Sequence, residues 1–152
     1  MIPWILLDTA KIPGDGGELR LKKRGAEFSI MLGSNELMNS RLSGSEEALA
    51  KLSCLRLRGR ERPKILIGGL GMGFTLRAAL AELGSEAQVT VAELLPAVVA
   101  WARGPMAEVF GGTLSEIVPC GVGTSTVAPR IASANVMGTR TSSRFPVRRN
   151  CG

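Results

Sequence analysis

The chain has 152 residues, 45% hydrophobic and 21% charged, with a net charge of +6 and neither histidine nor tyrosine. That length suits one domain with a modest core. No apolar run reaches the length of a membrane span, and residues 1–7 are too short and lack the basic start of a signal peptide, so a cytoplasmic protein with no membrane partner is expected.

The three cysteines, Cys54, Cys120 and Cys151, are far apart and form no C-x-x-C pair. Without histidine, a metal site or a disulfide framework is not expected, and the cysteines read as free thiols. The missing histidine also removes the usual general base and the Ser-His and Cys-His dyads. Chemistry would rest on carboxylates, lysine, backbone amides or a cofactor with its own reactivity. Residues 117–152 hold five arginines and no acid, whereas residues 1–116 are nearly neutral. The pI near 9.9 therefore describes the tail, and a nucleic-acid partner is not expected.

In chain order, residues 4–7 are a strand candidate and 13–17 a turn. Residues 18–23 alternate apolar and polar with period two, as a half-buried strand does. The pair Arg24-Gly25 turns the chain into a partner strand at 27–32, and residues 33–35 turn it again, giving a small meander. Ser43 to Ser45 followed by Glu46 and Glu47 resembles a helix N-cap with acids in the first turn. Ala48, Leu49, Leu52 and Leu55 then give the apolar spacing of a helix face. An arginine-rich stretch, 56–63, ends that helix.

Residues 64–77 read as a short apolar strand, a glycine-rich turn and the start of a helix. Gly69, Gly71 and Gly73 let the backbone turn sharply and approach a ligand with no Cβ in the way. The helix runs over 75–83, with Gly84 placed to end it. A second apolar strand, 89–92, leads to Glu93, a carboxylate able to accept both ribose hydroxyls of a nucleotide-type ligand. A helix follows over 96–102, with Pro96 at a start position where its missing N–H is harmless. This β-α-β-α order predicts an α/β, Rossmann-like, doubly wound parallel sheet. Its ligand would lie at the carboxyl ends of the strands, where the glycines and Glu93 stand. From about residue 111 neither periodicity is sustained, and residues 111–152 form a basic Ser/Thr/Gly-rich tail. The chain thus divides into a β-rich module with a connecting helix (1–62), a cofactor-binding core (63–110) and that tail.

The spacing of Gly69, Gly71 and Gly73 is G-x-G-x-G. A dinucleotide loop, G-x-G-x-x-G, would place its third glycine where Phe74 stands. With residues 36–49, 65–80 and 89–102, the chain resembles the spermidine-synthase-like branch of the class I methyltransferases. The likeness spans roughly residues 18 to 110. It implies a small N-terminal β module before a Rossmann-like domain. It also implies S-adenosylmethionine or decarboxylated S-adenosylmethionine as cofactor, held by Gly69, Gly71, Gly73 and Glu93, and transfer of a methyl or aminopropyl group.

The departures from that family are specific. Met72 replaces a loop aspartate that helps hold the polyamine, Leu95 replaces a further aspartate, and the tyrosine and histidine of the segment like 36–49 are absent. Glu36 and Glu46 are the nearest carboxylates by resemblance, with helix-cap and surface roles expected. No Gly-Asp pair follows residue 93 and no aspartate follows Asp15, so the family's adenine contact and catalytic loop have no counterpart, and the catalytic residue and acceptor stay unassigned. From Lys64 onward 89 residues remain, against roughly 150 for a full seven-stranded sheet with helices. An early change of reading frame would write such a tail; alternatively the tail completes the sheet another way. Two further readings stand beside the transferase: a non-catalytic relative prone to self-association through exposed strand edges, and an NAD-dependent enzyme.

Overall fold

The structure, a computed structural model, describes residues 1–116, 118–119 and 124–127. Four strands open the chain as an antiparallel meander in sequence order: β1 (Ile5–Lys11), β2 (Glu18–Arg24), β3 (Glu27–Leu32) and β4 (Asn35–Asn39). The period-two pattern of β2 works as predicted: Leu19 and Leu21 are buried and face Leu32 and Ile30 of β3. Gly25 and Gly33 turn the two hairpins with φ of 58° and 57°, a region where a side chain would be strained. After β4, Asn39 Oδ1 accepts the N–H groups of Arg41 and Leu42 at 3.0 and 3.1 Å, bending the chain toward the first helix.

Helix α1 (Gly44–Leu55) starts at Ser43, whose carbonyl accepts the Glu47 N–H at 2.9 Å. Its hydroxyl does not cap the helix backbone but donates to Glu47 Oε1 at 2.7 Å. The buried face of α1 is also not the predicted one. Ala50 and Cys54 turn inward, whereas Leu49, Leu52 and Leu55 are exposed. Small residues on the inner face let α1 approach helix α2 closely, and the leucines are left on the outside.

The second sheet begins with β5 (Lys64–Gly68), crosses over through α2 (Phe74–Glu82) and returns as β6 (Gln88–Ala92), parallel to β5 and in register from Lys64 opposite Gln88 to Gly68 opposite Ala92. Helix α2 ends one residue before the predicted stop: Leu83 becomes extended, and Gly84 does not adopt a left-handed conformation. Helix α3 (Pro96–Arg103) starts at Pro96 as predicted, and α4 (Ala107–Phe110) and a 3-10 helix (Thr113–Glu116) follow, neither signalled by periodicity. Strands β7 (Val118–Pro119) and β8 (Thr124–Val127) complete the order β5-β6-β8-β7. Strand β8 lies antiparallel to β6. The sheet is therefore mixed, with one parallel pair, rather than the parallel array predicted. The remaining tail, 128–152, lies outside the described residues.

Burial along the second sheet alternates. Ile67, Val89 and Val91 are buried, while Leu66 is exposed and Thr90 half-buried. A doubly wound sheet, covered on both faces, would bury every position. The inward face belongs to one apolar cluster that also holds Leu76 of α2, Trp101 of α3, Phe110 of α4, and Leu21, Phe28 and Ile30 of the meander. The two sheets thus share one core. Among the described residues no helix is long and apolar enough to cross a membrane.

One polar contact ties the meander to α3 across this core. Buried Trp101 donates its indole N–H to Asp8 Oδ2 of β1 at 2.6 Å. That bond, followed by one from the Thr9 N–H, holds the Asp8 carboxyl below its ordinary pKa. Within the meander, Glu36 accepts bonds from Ser29 Oγ at 2.6 Å and Asn39 Nδ2 at 3.1 Å. Ser29 foremost, then Asn39, Arg41 and Arg24, lower the Glu36 pKa against the opposing effect of burial. A lowered folded-state pKa gives stability that is present above the unfolded value, near 4, and is lost as pH falls through the folded one. Thermal melts from pH 7 downward should therefore show a midpoint that drops below about pH 4. A double variant, Asp8→Asn with Glu36→Gln, should start lower at pH 7 and decline less steeply over that interval.

Candidate functional site

The carboxyl ends of β5 and β6 lie side by side because the two strands are parallel and in register. The chain leaves β5 at Gly69, whose N–H donates to the Ala92 carbonyl at 2.7 Å. Three left-handed glycines then fold the loop, with φ of 87° at Gly69, 51° at Gly71 and 75° at Gly73. Between them Leu70 and Met72 turn their side chains into the core. The Gly73 N–H closes the loop onto the Leu70 carbonyl at 2.8 Å, and the Gly73 carbonyl accepts the Arg77 N–H at 2.8 Å as α2 begins. Alternating inward apolar residues with left-handed glycines makes this turn possible within five residues.

Glu93 meets this loop. Its Oε2 accepts the Leu70 N–H at 2.8 Å and its Oε1 accepts the Leu95 N–H at 2.9 Å. The side chain is half-buried. The carboxylate therefore orders both the glycine loop and the entry to α3, each through a charge-assisted bond to a backbone donor. A carboxylate has roughly four lone-pair positions, so two internal bonds leave room for ligand hydroxyls. Gly69, Gly71, Gly73 and Glu93, singled out from the sequence pattern and its resemblance, are thus gathered at one end of the parallel pair.

They do not all face the same thing. A Cβ on Gly71 would sit 2.6 Å from Met38 Sδ, and a Cβ on Gly73 would overlap the Phe110 ring. A Cβ on Gly69 would meet nothing within 4 Å. Gly73 is therefore required by packing against the Phe110 ring of α4, Gly71 is covered by the flexible end of Met38 of β4, and among the described residues only Gly69 of the three has open space where a Cβ would stand. Arg77 Nη1 donates to the Val109 carbonyl at 2.6 Å and holds α4 over the start of α2. Met38 and Phe110 had no signal in the sequence, since each meets its glycine only through tertiary packing.

The other carboxylates of interest lie elsewhere. Glu36 is committed to Ser29 and Asn39 in the meander, and Glu46 accepts the Ser45 hydroxyl at 2.7 Å on α1. Cys54 is buried, and burial foremost, then nearby Glu82, pushes its thiol pKa up, which leaves it a poor nucleophile. Cys120 and Cys151 lie outside the described residues. Among the described residues no three or more Cys, Asp or Glu side chains gather as metal ligands would.

No protein-family model, no curated protein and no solved structure matches this chain.

Gly69 and Gly73 should separate by substitution. In urea titrations Gly69→Ala should cost about 1–2 kcal/mol, from the left-handed backbone alone. Gly73→Ala adds an overlap with the buried Phe110 ring and should cost roughly 1–3 kcal/mol more. Glu93→Ala strands two backbone donors and should cost about 2 kcal/mol with no ligand present.

Proposed function

We propose that residues 63–110 form a Rossmann-like unit of the class I methyltransferase kind, with spermidine-synthase-like ancestry. In this reading it holds S-adenosylmethionine or decarboxylated S-adenosylmethionine. The observation that carries the proposal is the meeting of Glu93 with the glycine loop at the carboxyl ends of two parallel strands. That is where a strand-turn-helix unit presents backbone N–H groups and a carboxylate to a ribose-bearing ligand. The fit is partial and local. Gly69 leaves the space a close-lying ligand needs, and Glu93 retains acceptor capacity, whereas Gly71 and Gly73 are already covered by Met38 and Phe110. Gly69 and Glu93 are therefore the residues assigned to hold the cofactor.

The bound cofactor would supply an activated sulfonium carbon. The chain's part is to fix the ribose on Glu93 and to let the ligand lie along Gly69. No residue is assigned as catalytic base. Glu36 is held ionised by its hydrogen bonds and lies in the meander, and the acceptor molecule stays open.

A second reading, a non-catalytic relative, is favoured by one specific observation. The internal contacts of Gly71 and Gly73 account for those two glycines without any ligand. A dinucleotide is disfavoured by Phe74, which is buried at the start of α2 where a third glycine would stand.

Thermal shift with S-adenosylmethionine, decarboxylated S-adenosylmethionine, methylthioadenosine and NADH distinguishes these readings. A ligand at 100 times its Kd should add about 2.7 kcal/mol and visibly raise the midpoint. Gly69→Ala is the control of choice, because its Cβ would touch nothing among the described residues. A shift with a sulfonium or thioether nucleoside that disappears in Gly69→Ala supports the cofactor site. No shift with any of the four leaves the loop a packing device, and a shift with NADH alone points to a dinucleotide enzyme.

A further inference from the structure

Helix α1 turns its largest apolar side chains away from the core. Leu49, Leu52 and Leu55 are 60%, 63% and 45% exposed, while Ala50 and Cys54 are buried. At about 100° per residue, Leu52 stands at the middle of the outer face, with Leu49 and Leu55 about 60° to either side. Single exposed leucines need no explanation, but three in one row form a patch, and apolar patches on folded chains mark contact surfaces.

The charges beside this row are polarised along the helix. Glu46 lies in its first turn and Arg56 at its end, both on the flank that carries Leu49. Arg56 keeps helical backbone, with φ of −74° and ψ of −11°, so it continues the face of α1. Glu46 accepts the Ser45 hydroxyl, Arg56 is exposed, and neither joins an ion pair among the described residues.

We propose that α1 of one copy packs on α1 of a second copy, antiparallel, about a two-fold axis at Leu52. Leu52 then meets the partner's Leu52, and Leu49 comes level with the partner's Leu55. The two-fold reverses the helix axis but keeps the flank. Glu46 therefore lies beside the partner's Arg56, offset by two residues, or about 3 Å along the axis. Two long side chains span that offset, and the symmetry makes the ion pair twice. A parallel pair instead sets Glu46 on the partner's Glu46 and Arg56 on the partner's Arg56, like on like. Residues 128–152, the chain's own alternative cover, carry five arginines and no acid, and so offer Arg56 no counter-charge. A two-fold contact uses the same face on both copies and closes at two. One helix face is a small interface, so the dimer is weak and its population rises with concentration.

Sedimentation velocity over a wide range of protein concentrations tests this. The wild-type chain passes from monomer to dimer and no further. Leu52→Lys, at an exposed position, weakens the dimer by roughly tenfold or more, because it sets two lysines against each other at the centre of the contact. Glu46→Arg and Arg56→Glu each weaken self-association by about threefold or more. Mixed in equal amounts, the two charge variants form a heterodimer that recovers wild-type affinity, since every flank pair is again opposite in sign. Circular dichroism melts confirm that all three variants fold. A wild-type chain that stays monomeric overturns the proposal, and a lower melting point in Leu52→Lys then assigns the face to the chain's own tail. Assembly beyond a dimer also overturns it, as does dimerisation untouched by Leu52→Lys, or a mixture of charge variants that associates no more tightly than either alone.

Discussion

Parallel pairing of β5 with β6 is the constraint from which most of this molecule follows. Two parallel strands cannot be joined by a hairpin, so the chain must leave the end of β5, cross over through α2 and return. The exit must be tight, because the Gly69 N–H is bound to the end of β6 while α2 starts only a few residues later. Left-handed glycines satisfy that demand where other residues would be strained. The same pairing delivers Glu93, the residue after β6, to the side of the loop, where it accepts the Leu70 N–H. The candidate site is in this sense a by-product of strand direction.

Among the described residues the second sheet is covered on one face. Its inward residues join the meander and α2 to α4 in a single cluster around Trp101 and Phe110, and its outward residues include the exposed Leu66. Burying a residue of that size is worth roughly 3–5 kcal/mol by the effect of truncating a Phe or Trp. The packing of Phe110 on Gly73 is therefore a substantial contribution to the fold as well as a restriction on the site. Phe110 of the helix layer closes Gly73 to a ligand, and Met38 of β4 closes Gly71. Gly69 escapes because among the described residues nothing lies within 4 Å of where its Cβ would stand.

Much of the local structure was legible in the sequence. The alternation of β2, the glycine turns of the meander, the strand-turn-helix at residues 64–77 and the start of α3 at Pro96 are local signals, each decided by neighbouring residues. The face of α1 was not. Three leucines at helical spacing suggested a buried stripe, yet the neighbour α2 lies close enough to demand Ala50 and Cys54 instead. The stop of α2 at Glu82 likewise came one residue before the predicted one, because Leu83 is drawn into extended backbone while its N–H still bonds back to Ala79.

Sequence by itself determined the strands and helices up to α3, their order and the gathering of glycines with an acid, because these depend on backbone freedom and local periodicity, whereas α4, the 3-10 helix, β7 and β8 carried no such signal. Tertiary structure alone decided that β8 runs antiparallel beside β6, that Met38 and Phe110 fill the space behind Gly71 and Gly73, and that Glu93 orders two backbone segments. Those are contacts between residues distant in the chain. Side-chain chemistry and spacing carry no record of which distant surface a residue will meet, and only packing in three dimensions supplies it.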